Sequence, residues 1–240
     1  MPPARPTAIV TGASSGIGRA TAILLAERGY DVALVGRSES RLKETADLVR
    51  EATDDAAQTA IMPTDLTRPL AAAGLIEGVV QQLGRIDALA NVAGYAPLMP
   101  IPEYTPVIIQ QCMDANITYV MNLTTSVWPT FEQQRSGVIV NVSSIASVDP
   151  FPGFSVYAAA EVAVNMYTKC AAEEGKKIGV KVVAIAPGAV ETPMLRQIFN
   201  EKMLPQEKTL DPYEVAEAIA DCITGKRNYT PGETIMMPSP

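Results

Sequence analysis

The chain contains no histidine. That absence removes the commonest general base and metal ligand, and with them any Ser-His-Asp hydrolase. Proton transfer has to run through Tyr, Lys, Asp, Glu or water. Cysteine is scarce: Cys112, Cys170 and Cys222 are widely spaced and outside any Cys-x-x-Cys pattern. They give no sign of a disulfide framework or a metal site, and buried apolar thiols in a reducing compartment are expected. No apolar run approaches the roughly 18 residues that a spanning helix needs, and "MPPARPTAIV" has no signal-peptide hydrophobic stretch, so a cytoplasmic location without a membrane partner is expected. Basic residues are dispersed and the net charge is -7, which leaves no electrostatic footprint for nucleic acid. Repeats, low-complexity tracts and linkers are missing as well.

What is present is patterning. With 240 residues, 48% of them hydrophobic, the chain fits one globular domain over 1–240. Short β-branched runs, "TAIV" (7–10), "DVALV" (31–35), "TAIM" (59–62), "IDALA" (86–90), "GVIVNV" (137–142), "KVVAIA" (181–186) and "ETIMM" (233–237), alternate with helical stretches such as "IGRATAILLAERGY" and "LAAAGLIEGVVQQLGR". This order predicts an α/β fold: a single doubly wound, Rossmann-like domain with a parallel sheet of about seven strands and helices on both faces. Ligands in such sheets bind beyond the carboxyl ends of the strands. Two irregular segments, 94–106 and 187–212, each follow a strand, so both are expected to overhang that face as substrate loops. Met99, Met194, Leu195, Phe199 and Met203 make them apolar, which suits an apolar small-molecule substrate and equally suits packing against the body.

The first strand runs into "TGASSGIGRA". Gly12, Gly16 and Gly18 leave backbone amides uncovered at a helix N-terminus, where unpaired N–H groups and the helix dipole attract a pyrophosphate. After the second strand, "VGRSESRL" offers Gly36 and Arg37 and no acid. A carboxylate there would bind a ribose 2'-hydroxyl, whereas a guanidinium pairs with a 2'-phosphate, so NADP(H) is favoured over NAD(H).

The glycine spacing resembles that of the classical short-chain dehydrogenase/reductase family. The resemblance extends in order through "DL" at 65–66, "NVAG" at 91–94, Asn116, "NVSS" at 141–144, Tyr157 and "PGAVETP" at 187–193. It implies a groove for the nicotinamide cofactor formed by Gly12, Ser14, Ser15, Gly16, Ile17, Gly18, Arg37, Asp65, Leu66, Asn91, Ala93, Gly94, Tyr157, Glu161, Pro187, Gly188, Val190 and Thr192. In that scheme Asp65 contacts the adenine, Asn91 lies beside the cofactor, and Val190 and Thr192 hold the carboxamide. It further implies that Ser144, rather than Ser143, orients a carbonyl or alcohol, that Tyr157 transfers the proton, and that Asn116 holds a water; an amide bonded to backbone within its helix is the alternative for Asn116.

One position departs from the family. Its motif lysine, four residues beyond the tyrosine, is here Glu161. Replacing a positive by a negative charge about 5 Å from the phenol disfavours the phenolate by roughly 3 to 7 kcal/mol at an effective dielectric of 20 to 40. Oxidation through Tyr157 as base is expected to be slow, and reduction impaired. Glu161 turned aside into a surface ion pair, or held neutral in a closed site, are further readings of the same residue. Lys169 lies about 12 Å farther along the helix and offers no rescue. Many relatives continue a glycine-rich segment after the last strand, where Pro238 and Pro240 stand here. The broadly apolar helix "PVIIQQCMDANITYVMNLTTSVW" suits pairing between subunits, so a homodimer or homotetramer is expected. Two functions follow: an NADP-dependent oxidoreductase slowed or specialised by Glu161, or a nucleotide-holding relative without turnover that acts as a sensor or assembly partner.

Overall fold

Each of the seven β-branched runs becomes a strand of one sheet in the computed structural model, which describes residues 5–68 and 70–240. The strands are β1 (Thr7–Thr11), β2 (Asp31–Gly36), β3 (Thr59–Pro63), β4 (Ala88–Asn91), β5 (Gly137–Val142), β6 (Val180–Pro187) and β7 (Thr234–Met237). They run parallel in the order β3-β2-β1-β4-β5-β6-β7. The chain leaves β1 toward β2 on one side and later returns to its other side as β4, so the order reverses between these two strands and opens a crevice at their carboxyl ends.

The central strands read as continuous apolar runs because both faces are covered. All five β1 residues are buried: Ala8 and Val10 pack toward helices α1 (Gly16–Glu27), α2 (Glu39–Ala52) and α8 (Pro212–Thr224), and Ile9 packs toward α3 (Ala71–Leu83), α5 (Tyr119–Gln134) and α6 (Ser155–Gly175). Fully enclosed side chains such as Leu34, Leu123 and Ile139 each contribute roughly 1.5–3 kcal/mol by leaving water. Cutting one back to Ala costs about 2–5 kcal/mol. Gly84, in the left-handed region at φ 82°, ends α3.

Two expectations are corrected. Cys170 is exposed, while Cys112 and Cys222 are buried. The single helix read over 106–128 is interrupted: α4 (Pro106–Met113) passes through one π-helical turn, Asp114–Thr118, before α5. The Asn116 side-chain amide donates to the Cys112 carbonyl at 2.7 Å, taking the acceptor that an α-helical amide would use. The two irregular segments follow β4 and β6; the second contains the short helix α7 (Pro193–Ile198). Among the described residues no helix is long and apolar enough to cross a membrane.

Candidate active site

The crevice begins where β1 gives way to Gly12, at φ 68°. Ser15 precedes α1 and its carbonyl accepts from Arg19 N–H at 3.2 Å, but its side chain caps nothing. The first-turn amides of Gly16, Ile17 and Gly18 therefore have no intrahelical acceptor and receive none from Ser15, which is the donor set a pyrophosphate needs. Close approach makes Gly18 obligatory, since a Cβ there would lie 2.4 Å from the Gly12 carbonyl oxygen. The Ser14 carbonyl is held by Arg19 at 2.8 Å, and Ile17 packs into the core below.

Two residues that the sequence reading passed over set the floor of this turn. Thr11 Oγ1 accepts from the amides of Val92 at 2.8 Å and Ala93 at 3.0 Å, and the Tyr119 hydroxyl donates to the Ala93 carbonyl at 2.8 Å. The exit of β4 is thereby fixed beneath Gly12, with Gly94 exposed beyond it. Thr11 was signalled only by its place immediately before Gly12.

Toward the other side, Arg37 is exposed at the end of β2, and a shallow pocket is lined by Arg37, Pro63, Thr64, Asp65, Arg68 and Ala71. Asp65 accepts from the Thr67 amide and hydroxyl at 3.2 and 2.7 Å, and Arg68 lies 3.6 Å away. The Thr67 hydroxyl holds the Asp65 carboxyl below its ordinary range, with Arg68 and Arg37 adding to the effect. Arg68 is a second cation at this pocket that motif reading did not find. Leu66 packs inward on the core. The Asn91 side chain is fully enclosed: its amide donates to Asn141 Oδ1 at 2.9 Å, and Asn141 donates on to Thr168 at 2.9 Å. Asn91 and Asn141 are register partners across β4 and β5.

The candidate reacting groups gather after β5. Ser143 is buried, its amide donating to the Ile185 carbonyl at 2.8 Å. Ser144 is partly open, its Oγ accepts from the Ala146 amide at 3.1 Å, and its hydroxyl faces the Tyr157 phenol. Tyr157 stands in the first turn of α6. Burial pushes its pKa up, Glu161 adds to that push, and Ser144 opposes it, so the phenol keeps its proton at neutral pH.

Glu161, one turn farther on, is 3% exposed, its Oε2 has no hydrogen-bond partner, and no cation pairs with it among the described residues. Burial raises its carboxyl well above the ordinary range. The surface ion pair is thus overturned: the carboxyl is enclosed, and burial without a paired cation disfavours its charged form. Asn116 is buried; its amide donates to the carbonyls of Tyr95 and Cys112, both at 2.7 Å, and its Oδ1 accepts from the Tyr95 amide at 3.0 Å. Its backbone-bonded role is the one seen, and a single Oδ1 lone pair is left for water.

The segment after β6 is ordered by its own bonds. The Gly188 amide, just past Pro187, donates to the Met237 carbonyl at 2.8 Å, Val190 bridges to Leu210, and Thr192 caps α7 through the Leu195 amide at 3.2 Å. Glu191 receives Arg196 on both carboxylate oxygens. The whole arrangement offers amides for a pyrophosphate, a cationic adenosine end, and a protonated phenol with a neighbouring hydroxyl, which suits proton delivery to an oxygen at the far end of a dinucleotide.

Comparison with known proteins agrees with this geometry. A family model described as short chain dehydrogenase matches residues 6–203. An uncharacterized oxidoreductase of Staphylococcus haemolyticus is 34% identical over 232 residues, 96% of each chain. Levodione reductase superposes with a TM-score of 0.90 at 25% identity over 97% of this chain and 96% of that one, and NAD+-bound xylitol dehydrogenase with 0.87 at 25% identity over 98% of each.

Proposed function

The chain belongs to the short-chain dehydrogenase family of oxidoreductases, and from that premise we propose that it uses NADP(H) to interconvert a carbonyl compound and a secondary alcohol. When bound, the nicotinamide supplies or accepts a hydride. The amides of Gly16, Ile17 and Gly18 hold the pyrophosphate, Arg37 pairs with the 2'-phosphate, and Asp65 meets the adenosine. Glu161 occupies the family's ribose-binding position, its Oε2 buried and without a hydrogen-bond partner. Gly188, Val190 and Thr192 form the carboxamide side.

Ser144 orients the substrate oxygen and Tyr157 delivers its proton to it. The observation that carries the reading is the Tyr157 phenol, partly buried, protonated and faced by Ser144. A group already holding its proton favours reduction, since oxidation first has to remove that proton from an apolar enclosure. Exposed apolar side chains on adjoining helices, Val107 and Ile109 on α4, Met121 on α5, and Val162 and Met166 on α6, support a homodimer or homotetramer, and the absence of any spanning helix among the described residues is compatible with a cytoplasmic enzyme.

The test is calorimetric titration with NADP+, NADPH, NAD+ and NADH, followed by a carbonyl panel with the reduced nucleotide that binds. NADP(H) binding with turnover is expected. Tight binding without turnover on a broad panel would favour the second reading, a nucleotide-holding sensor or assembly partner, for which the unassisted Tyr157 beside Glu161 is the supporting observation. No nucleotide binding would remove both.

A further inference from the structure

The residues between β5 and α6 include Phe151-Pro152-Gly153-Phe154, a tight turn closed by the Phe154 amide donating to the Phe151 carbonyl at 3.1 Å, with Gly153 at φ 93°. Proline second and a positive-φ glycine third are what a type II turn requires. The turn brings its two end residues together, and the rings stand with centroids 5.6 Å apart. Phe154 immediately precedes α6 and its ring lies 5.4 Å from that of Tyr157. From the other segment, Phe199 meets Phe151 edge-on at 5.9 Å and Phe154 at 6.4 Å. Three phenyl rings from two separate stretches of chain thus form one cluster, and Phe154 joins it to the Tyr157 ring.

Both stretches are fixed in advance. The Gly153 carbonyl accepts from the Tyr104 hydroxyl at 2.9 Å and from the Met99 amide at 3.1 Å, and a Cβ on Gly153 would strike Leu98 at 2.6 Å. Opposite, Arg196, paired with Glu191, donates to the carbonyls of Phe199 at 3.3 Å and Leu204 at 2.7 Å, and the Thr209 hydroxyl reaches Glu191 at 3.3 Å. The pair that holds Phe199 also neutralises its own charges, so Arg196 is not free to meet an anionic substrate. Phe151 is 51% exposed, whereas the core ring Phe131 is 0% exposed. A half-exposed ring on a rigid turn contributes little to folding and offers binding area at low entropic cost.

Resting on the oxidoreductase reading above, we propose that the substrate is an uncharged aryl carbonyl compound whose ring packs against Phe151 and Phe199 while its oxygen faces Tyr157 and Ser144. Aromatic rings prefer offset or edge-to-face neighbours, and the right-angled Phe151–Phe199 pair presents both a face and an edge. Asp149, exposed two residues before Phe151, repels a substrate carboxylate.

The experiment measures binding without turnover, by titrating acetophenone, acetone and benzoylformate into the protein with NADP+ and again without nucleotide. Acetophenone is expected to bind at least about tenfold more tightly than acetone, and more tightly than the anionic benzoylformate. F151A and F199A are each expected to weaken acetophenone about fivefold while leaving acetone and NADP+ within twofold. F199L keeps apolar bulk without the ring and should lose the aryl preference in the same direction. Equal binding of acetone and acetophenone, a preference for benzoylformate, or variants that hold acetophenone as well as the parent would overturn the proposal. If NADP+ fails to bind while the ring-dependent preference persists without nucleotide, the oxidoreductase reading falls and the aromatic site stands.

Discussion

At the end of the groove proposed for the adenosine, Arg37 and Arg68 stand in solvent around Asp65, whereas at the Tyr157 end the carboxyl of Glu161 is shut in at 3% exposure with no cation beside it among the described residues. In the first region charges remain charged and water screens them, so each contributes modestly and through simple pairing. In the second, enclosure decides protonation before any pairing does: Tyr157 and Glu161 are both pushed upward, with burial as the larger cause. The Tyr157 end should therefore answer to pH and the adenosine end to salt.

The most severe way to test the enclosed end is Y157F, expected to lower turnover by about two to four orders of magnitude with nucleotide affinity unchanged in calorimetry. E161K introduces a positive charge at the position of the enclosed carboxyl; at about 5 Å and an effective dielectric of 20 to 40 that charge stabilises the phenolate by roughly 2–3 kcal/mol. Alcohol oxidation at pH 8 is then expected to rise by about one to two orders of magnitude, and no rise would mean that Tyr157 is not the base.

At the open end, R37A is expected to weaken NADP+ about tenfold, with NAD+ unaffected. R68A should act in the same direction by less, and both effects should shrink as salt is added. Equal losses for the two nucleotides would remove the 2'-phosphate assignment.

The smallest effect concerns stability. A carboxyl whose folded pKa is raised retains a proton that the unfolded chain gives up near its ordinary value of about 4.3. Between those two values the folded state binds one proton more, so stability falls as pH rises. Its full contribution is present below the unfolded value and is lost on the way up through the folded one. E161Q removes this dependence, and its melting temperature should exceed the parent's at pH 8 by a few degrees, with the gap closing toward pH 4. A gap that does not change with pH would place the proton elsewhere.

The strands were legible because burial on two faces writes continuous apolar runs, and the glycine turn because Gly18 admits no side chain against Gly12. Of the two serines after β5, Ser144 is partly open and Ser143 is buried, a difference that two identical neighbouring letters do not carry. The enclosure of Glu161 was not legible either, since identity gives a carboxyl and only the fold decides how far it is buried. Asn116 reads as helix from its neighbours, yet its amide takes the Cys112 carbonyl and opens a π turn. Asn91, expected beside the cofactor, also bonds to the buried Asn141–Thr168 chain, which its neighbours in sequence do not announce. Pro152-Gly153 between two phenylalanines was a readable turn signal, but its third ring comes from Phe199, far along the chain.

Thr11 carries a consequence for how the groove comes into being. Its hydroxyl holds Val92 and Ala93 across sequence separations of 81 and 82 residues. The glycine turn is local, but its floor exists only once β4 has docked beside β1, and closing so long a loop is slow to begin. Nucleotide affinity should therefore lag behind helix formation during refolding, and the first βαβ unit by itself should hold the glycine turn without the surface that makes it a groove.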